Sequence, residues 1–111
     1  MQQAALAYPE PVLQLREALE AYLEKDQVAL VLRAYEVAEE AHRGQTRKTG
    51  EPYIFHPIAV AMILANLRMD HESIAAAILH DTIEDTPLSW SDIEQSFGNE
   101  IADLVEGVTK L

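Results

Sequence analysis

Apolar residues recur at helical spacing along nearly the whole chain. Val12, Leu15, Leu19, Tyr22 and Leu23 follow Pro11, a good first-turn residue, and predict a leading helix within residues 1–25. Asp26 is placed to cap a second helix running to about His42, with Val28, Leu32, Tyr35 and Ala38 or Glu39 along its faces and Gly44 to stop it. Pro57 opens a third helix, to about Met69. Asp70 caps a fourth, through Ile74, Ala77 and Ile78 to about Asp85, with Pro87 beyond its end. Ser89 with Asp92 resembles a capping box for a short fifth. Gly98-Asn99 separates it from a sixth, from Glu100 to about Glu106, which Gly107 ends. No segment has the alternation of a strand. The expectation is an all-α bundle of about six helices, with residues 26–111 carrying the motifs.

At 111 residues the chain is one domain at most, with an adequate core. It has no cysteine, which excludes disulfides and thiolate metal sites. Met1-Gln2-Gln3-Ala4-Ala5 lacks the basic and apolar regions of a signal peptide, and no apolar run approaches the roughly 20 residues that span a bilayer. A soluble, cytoplasmic protein with no membrane contact is expected. The formal net charge of −11 argues against direct nucleic-acid binding.

Three of the eight basic residues, Arg43, Arg47 and Lys48, nevertheless fall within six positions. Such a positive island reads either as a solvated connection or as an anion site. The connection from Gln45 to Phe55 holds Gly50, Pro52 and the basic pair, and its eleven residues are long for a helix–helix loop, which points to function. Arg47-Lys48-Thr49-Gly50 supplies a guanidinium, an ammonium, a hydroxyl and backbone freedom. An arginine grips phosphate in a bidentate way or stacks on a base. Tyr53 could add a stacking face or be a core aromatic.

The densest chemistry follows the apolar run Ile74 to Leu79, where His80-Asp81 precedes Glu84-Asp85. Imidazole with carboxylate suits Mn²⁺, Fe²⁺ or Zn²⁺ better than the oxygen-only set of Ca²⁺. On a helix His80 and Glu84 lie four apart, as do Asp81 and Asp85, so one turn could hold a metal and the next manage its water. Carboxylates at a helix C-terminus oppose the macrodipole by a few tenths to about 1 kcal/mol, which asks for a compensating cation. His56, before Pro57 at the mouth of the third helix, is a third candidate ligand if the third and fourth helices pack side by side. His42, at the end of the second helix, reads as structural and favoured by the dipole. His71, in an acidic turn, reads as facing solvent.

Three stretches resemble the hydrolase domain of the RelA/SpoT family. They are Ala41-His42-Arg43-Gly44-Gln45-Thr46-Arg47-Lys48-Thr49-Gly50-Glu51-Pro52-Tyr53-Ile54-Phe55-His56-Pro57, then His80-Asp81-Thr82-Ile83-Glu84-Asp85-Thr86, and the ending Gly107-Val108-Thr109-Lys110-Leu111. Their order and separations match, and the resemblance covers roughly Ala29 to Leu111. It implies a helical HD-type phosphohydrolase that removes the 3′-pyrophosphate of guanosine tetra- and pentaphosphate with Mn²⁺. By position it implies that His56, His80 and Asp81 are metal ligands and that Glu84 and Asp85 activate the attacking water. Arg47 and Lys48 match residues that hold the guanine end, beside Thr49 and Tyr53. Synthetase-only members of the family have a degraded hydrolase motif. Here His-Asp and Glu-Asp are intact, which places the likeness with the SpoT-like or bifunctional branch.

The family domain continues past Thr-Lys-Leu into helices that carry a fourth ligand, an aspartate. Asp92 and Asp103 lie before that position and do not match it. The chain is therefore expected to be the N-terminal part of a hydrolase domain within a longer multidomain protein, truncated at its C-terminal end. On that reading Ile101, Leu104 and Val105 lose their cover, and exposed helix faces favour homo-oligomers. Two rivals stand beside the hydrolase: a catalytically silent regulatory or self-association piece, and an HD phosphohydrolase acting on another nucleotide.

Overall fold

The computed structural model describes residues 8–109, so the N-terminal pentapeptide and Lys110-Leu111 of the last motif lie outside the described residues. Seven helices follow one another, with no strand among the described residues: α1 (Glu10–Glu20), α2 (Lys25–Ala41), α3 (Phe55–Asn66), α4 (His71–Leu79), α5 (Thr82–Asp85), α6 (Trp90–Phe97) and α7 (Asn99–Thr109). The all-α expectation holds. The count exceeds six because the fourth predicted helix is broken in two.

Helix α4 sits at the centre, against α2, α3 and α7, while α1 closes over α3 and α2. The position follows from composition: Ile74, Ala75, Ala76, Ile78 and Leu79 are all buried, so the helix is apolar on several faces. Helix α1 contributes Val12, Leu15 and Leu19, at the spacing read from the sequence. Tyr22 and Leu23 fall beyond its end and pack against the core from the following turn.

Two caps stand as expected. Asp70 accepts from the Ser73 N–H at 3.0 Å, and Ser89 and Asp92 exchange bonds of 2.9 and 3.2 Å at the start of α6. Asp92 is thus occupied with a helix end. Helix α2 starts earlier than expected: Glu24, rather than Asp26, stands at its cap, and the Gln27 side chain accepts from the Glu24 N–H at 3.0 Å.

Helix α3 also starts before Pro57, which sits buried in its first turn, where a missing N–H costs nothing. It ends before Met69 because Arg68 takes φ 60°, so that Arg68 N–H reaches Ala65 C=O at 3.0 Å and Met69 N–H reaches Leu64 C=O at 3.1 Å. Gly107, expected to stop the last helix, lies inside α7.

The break in the fourth helix falls at His80-Asp81. Thr82 is fully buried, and its hydroxyl donates to the Leu79 carbonyl at 2.7 Å. A side chain that takes that carbonyl competes with the helical ladder. His80 and Asp81 sit in a turn between α4 and α5, yet Asp85 N–H reaches Asp81 C=O at 3.0 Å, so the helical four-residue spacing is kept between Asp81 and Asp85.

The last helix overturns another expectation. Ile101 and Val105 are buried within the chain itself, with Ala102, against α4 and α6. Among the described residues of α7, Leu104 and Val108 are the exposed large apolar side chains, at 40 % and 42 % exposure.

Candidate functional site

The connection between α2 and α3 is more ordered than a solvated loop. Thr46 and Pro52 pair as an isolated antiparallel bridge, Arg47 N–H donates to Glu51 C=O at 2.8 Å, and Gly50 N–H donates to Arg47 C=O at 2.8 Å. Gly50 has φ 90°, a region that suits glycine, and this lets the turn close after Thr49. The result is a small hairpin whose residues Thr46, Arg47, Lys48, Thr49, Glu51 and Tyr53 line one open hollow of about 550 Å³. The four residues singled out for nucleotide contact thus share one surface. Arg43 does not join them: its guanidinium bonds Glu39 at 2.8 Å, one turn back on α2, and the basic island shrinks to Arg47 and Lys48.

Tyr53 connects this hollow to the histidines. Its ring centroid is 4.8 Å from that of His42 and 5.9 Å from that of His56. His56 is half-buried in the first turn of α3.

The turn between α4 and α5 carries His80 and Asp81. His80 Nδ1 is 2.7 Å from the Ala77 carbonyl, which can only accept, so Nδ1 carries the hydrogen. In the neutral ring Nε2 then presents a lone pair, and it faces Asp81 Oδ1 at 3.1 Å. Two acceptors at that separation need a proton or a cation between them. A histidine whose second nitrogen is anchored to a backbone carbonyl is the usual arrangement of a metal ligand. Burial pushes the Asp81 carboxyl above the ordinary carboxylate range, the Asp85 and Glu84 charges push it the same way, and His42 opposes them. Burial is the main cause of that rise, and an imidazole beside a carboxylate is a donor pair that fits a divalent cation. The full set is not gathered in this conformation: among the described residues no three His, Cys, Asp or Glu side chains are grouped so as to hold an ion. His80 and Asp81 come together, and His56 is not grouped with them.

Glu84 and Asp85 share the single turn α5 and are both exposed. His71 is half-buried beside its capping residue, rather than fully in solvent.

Sequence reasoning kept His42 as a structural residue at a helix end without expecting its burial, and assigned no role to Gln45. His42 is only 2 % exposed, packed on Tyr53 and felt electrostatically by Asp81. The signal was available: Val31, Tyr35, Ala38 and His42 continue one buried stripe of α2. Gln45 had no such signal. Its side chain joins His42 to the Asp85 carbonyl, forty positions along the chain.

A bundle of helices with His-Asp in a turn between two of them defines a class. The profile of the HD domain family matches residues 34–111, and the chain belongs to that family. It is 55 % identical over 97 residues to the bifunctional (p)ppGpp synthase/hydrolase SpoT of Escherichia coli K12, covering 87 % of this chain and 14 % of that protein. It is 59 % identical over 81 residues to a guanosine-3′,5′-bis(diphosphate) 3′-pyrophosphohydrolase of Aquifex aeolicus, covering 73 % of this chain and 12 % of that protein. A GTP pyrophosphokinase of Streptomyces antibioticus is 45 % identical over 113 residues, covering all of this chain and 13 % of that protein. The resemblance to RelA/SpoT hydrolase domains is borne out, and the chain spans about one seventh of the length of the E. coli relative, 14 %. No helix among the described residues is long and apolar enough to cross a membrane.

Proposed function

We propose that the chain forms the N-terminal part of a metal-dependent hydrolase of the 3′-pyrophosphate of guanosine tetra- and pentaphosphate, within a longer, cytoplasmic bacterial protein of the stringent response. The observation that carries this reading is the His80 Nε2–Asp81 Oδ1 pair at 3.1 Å, with the other ring nitrogen anchored on Ala77. His80, Asp81 and His56 would hold the cation, Mn²⁺, with a fourth ligand supplied from beyond residue 111. A bound divalent cation supplies positive charge against a phosphate and acidity to a water molecule. Glu84 takes the proton of the attacking water, and Asp85 orients it. Arg47 and Lys48 hold the guanine end of the nucleotide at the rim of the hairpin hollow, with Thr49 and Tyr53 beside them.

A manganese-dependent hydrolysis assay on guanosine tetraphosphate tests this. It is run on the 111-residue chain and on a chain extended beyond Leu111. The extended chain is expected to release pyrophosphate, and the shorter one to do so weakly, since it offers three candidate ligands. Equal turnover would show that the further segment is dispensable, and no turnover in either would overturn the reading. One observation favours a second reading, a catalytically silent self-association module: His56 is not grouped with His80 and Asp81. The same assay separates the two, because the silent module turns over no alarmone in either chain.

A further inference from the structure

Gln45 uses every hydrogen-bonding group it has. Its backbone N–H donates to His42 C=O at 2.9 Å, and its C=O accepts from Tyr53 N–H at 3.0 Å. Its side-chain Nε2 donates to Asp85 C=O at 3.1 Å, and its Oε1 lies 3.0 Å from His42 Nδ1. A carbonyl only accepts, so the bond to Asp85 decides which end of the amide is nitrogen. The remaining end, Oε1, also only accepts, so His42 Nδ1 must carry the hydrogen. The chain of constraints thus runs from the Asp85 backbone to the tautomer of a buried imidazole. The other nitrogen of that ring, Nε2, is buried with no hydrogen-bond partner among the described residues. A neutral imidazole held this way presents a lone pair that only a donor can satisfy.

We propose that Gln45 is a positioning residue for the phosphohydrolase reaction, clasping the Arg47–Lys48 hairpin to the backbone of Asp85 and holding His42 as the Nδ1–H tautomer. The two halves of the site come from different parts of the chain. The hairpin hangs between α2 and α3, whereas Glu84 and Asp85 ride on the one-turn helix α5. Among the described residues, Gln45 is the side chain shown bonding from that hairpin to the α5 turn. It sets how far the nucleotide-holding rim stands from the acidic pair. His42 lies on the same clasp, with its ring on Tyr53. Its bare Nε2 is a fixed acceptor for a donor entering the site, and water is the smallest donor that fits a buried, polar position.

The tautomer half stands on geometry alone, and the kinetic half rests on the alarmone-hydrolase reading. Long-range ¹H–¹⁵N correlation spectra of the chain, taken above the titration of imidazole, distinguish the two tautomers of His42. The expected result is Nδ1–H in the unmodified chain. In Gln45→Glu a carboxylate oxygen still accepts from Nδ1, so the tautomer is retained, while the donor to Asp85 is lost. In Gln45→Met both bonds are lost, and the tautomer becomes mixed. In the extended chain both variants are expected to lower kcat by about 10- to 100-fold, as for a misplacement of about 1 Å between the reacting groups, with KM changed far less. A merely structural glutamine would lower stability without that split. An Nε2–H tautomer in the unmodified chain, or kcat in both variants within about twofold of the unmodified chain, would overturn the proposal. If the unmodified extended chain hydrolyses no alarmone, the functional reading fails and the tautomer measurement alone decides the clasp. If Gln45→Met does not fold, the unmodified spectrum and Gln45→Glu still decide it.

Discussion

At the scale of single residues, the acidic turn is arranged for an added positive charge, and its stability should show this. The Asp81 carboxyl titrates above the ordinary range, chiefly through burial, with Asp85 and Glu84 adding to it. A carboxyl whose folded pKa is raised favours the fold below its unfolded value of about 3.9 and loses that contribution as pH rises through the folded value. At neutral pH, without divalent ions, Asp81→Asn should therefore raise stability, because the amide is uncharged and can donate to His80 Nε2. Adding Mn²⁺ should stabilise the unmodified chain and leave the variant unchanged. Denaturant titrations with and without the ion measure both. The neighbouring residues divide their roles differently. In the extended chain Glu84→Gln should cost roughly 10²–10⁴-fold in turnover while keeping much of the metal affinity, as for a lost general base. His80→Ala should lose both. Equal loss of metal in the two variants, read by calorimetry, would refute the division.

At the scale of elements, helix ends carry much of the local specification. Asp70 accepts from Ser73 N–H and from the Ser73 hydroxyl, and the backbone bond holds its carboxyl below the ordinary range. Asp70→Ala should cost about 1 kcal/mol, the usual worth of such a cap, and Asp70→Asn less. A depressed folded pKa means that the contribution is present above the unfolded carboxyl value and disappears as pH falls through the folded one. The gap between Asp70→Ala and the unmodified chain should therefore narrow in acid, which urea melts across that window would measure. The break between α4 and α5 is an element-scale feature of another kind. It falls beside one buried hydroxyl, that of Thr82, bonded to the Leu79 carbonyl, and it puts His80 and Asp81 in a turn.

At the scale of the whole molecule, α7 is an integral part of the core. Ile101 is 1 % exposed and Val105 fully buried, although both were expected to lack cover. Ile101→Ala should cost about 2–5 kcal/mol, as for other large-to-small changes in a packed interior. Leu104, 40 % exposed, should tolerate Leu104→Gln within about 0.5 kcal/mol. Thermal melts of the two variants check the contrast. Among the described residues the same packing leaves Leu104 and Val108 as the exposed large apolar side chains of α7, with Ile63 on α3 and Leu67 just past its end exposed separately.

Sequence alone determined what short-range physics controls. Helical periodicity, the caps at Asp70 and Ser89, and the long loop with its basic pair were all legible, because each depends on residues a few positions apart. The His-Asp and Glu-Asp motifs were legible for the same reason, and the family followed from their order. Tertiary structure decided the rest. The helix break at His80-Asp81 has no glycine or proline to announce it in the sequence. The pairing of Arg43 with Glu39 withdrew it from the basic island by a choice of rotamer. His42 and Gln45 acquired their places only when α2 packed against α4 and brought the Asp85 carbonyl within 3.1 Å of an amide forty residues away. A hydrogen bond of that range is a property of the packed core, since its two partners meet only after the helices between them have found theirs.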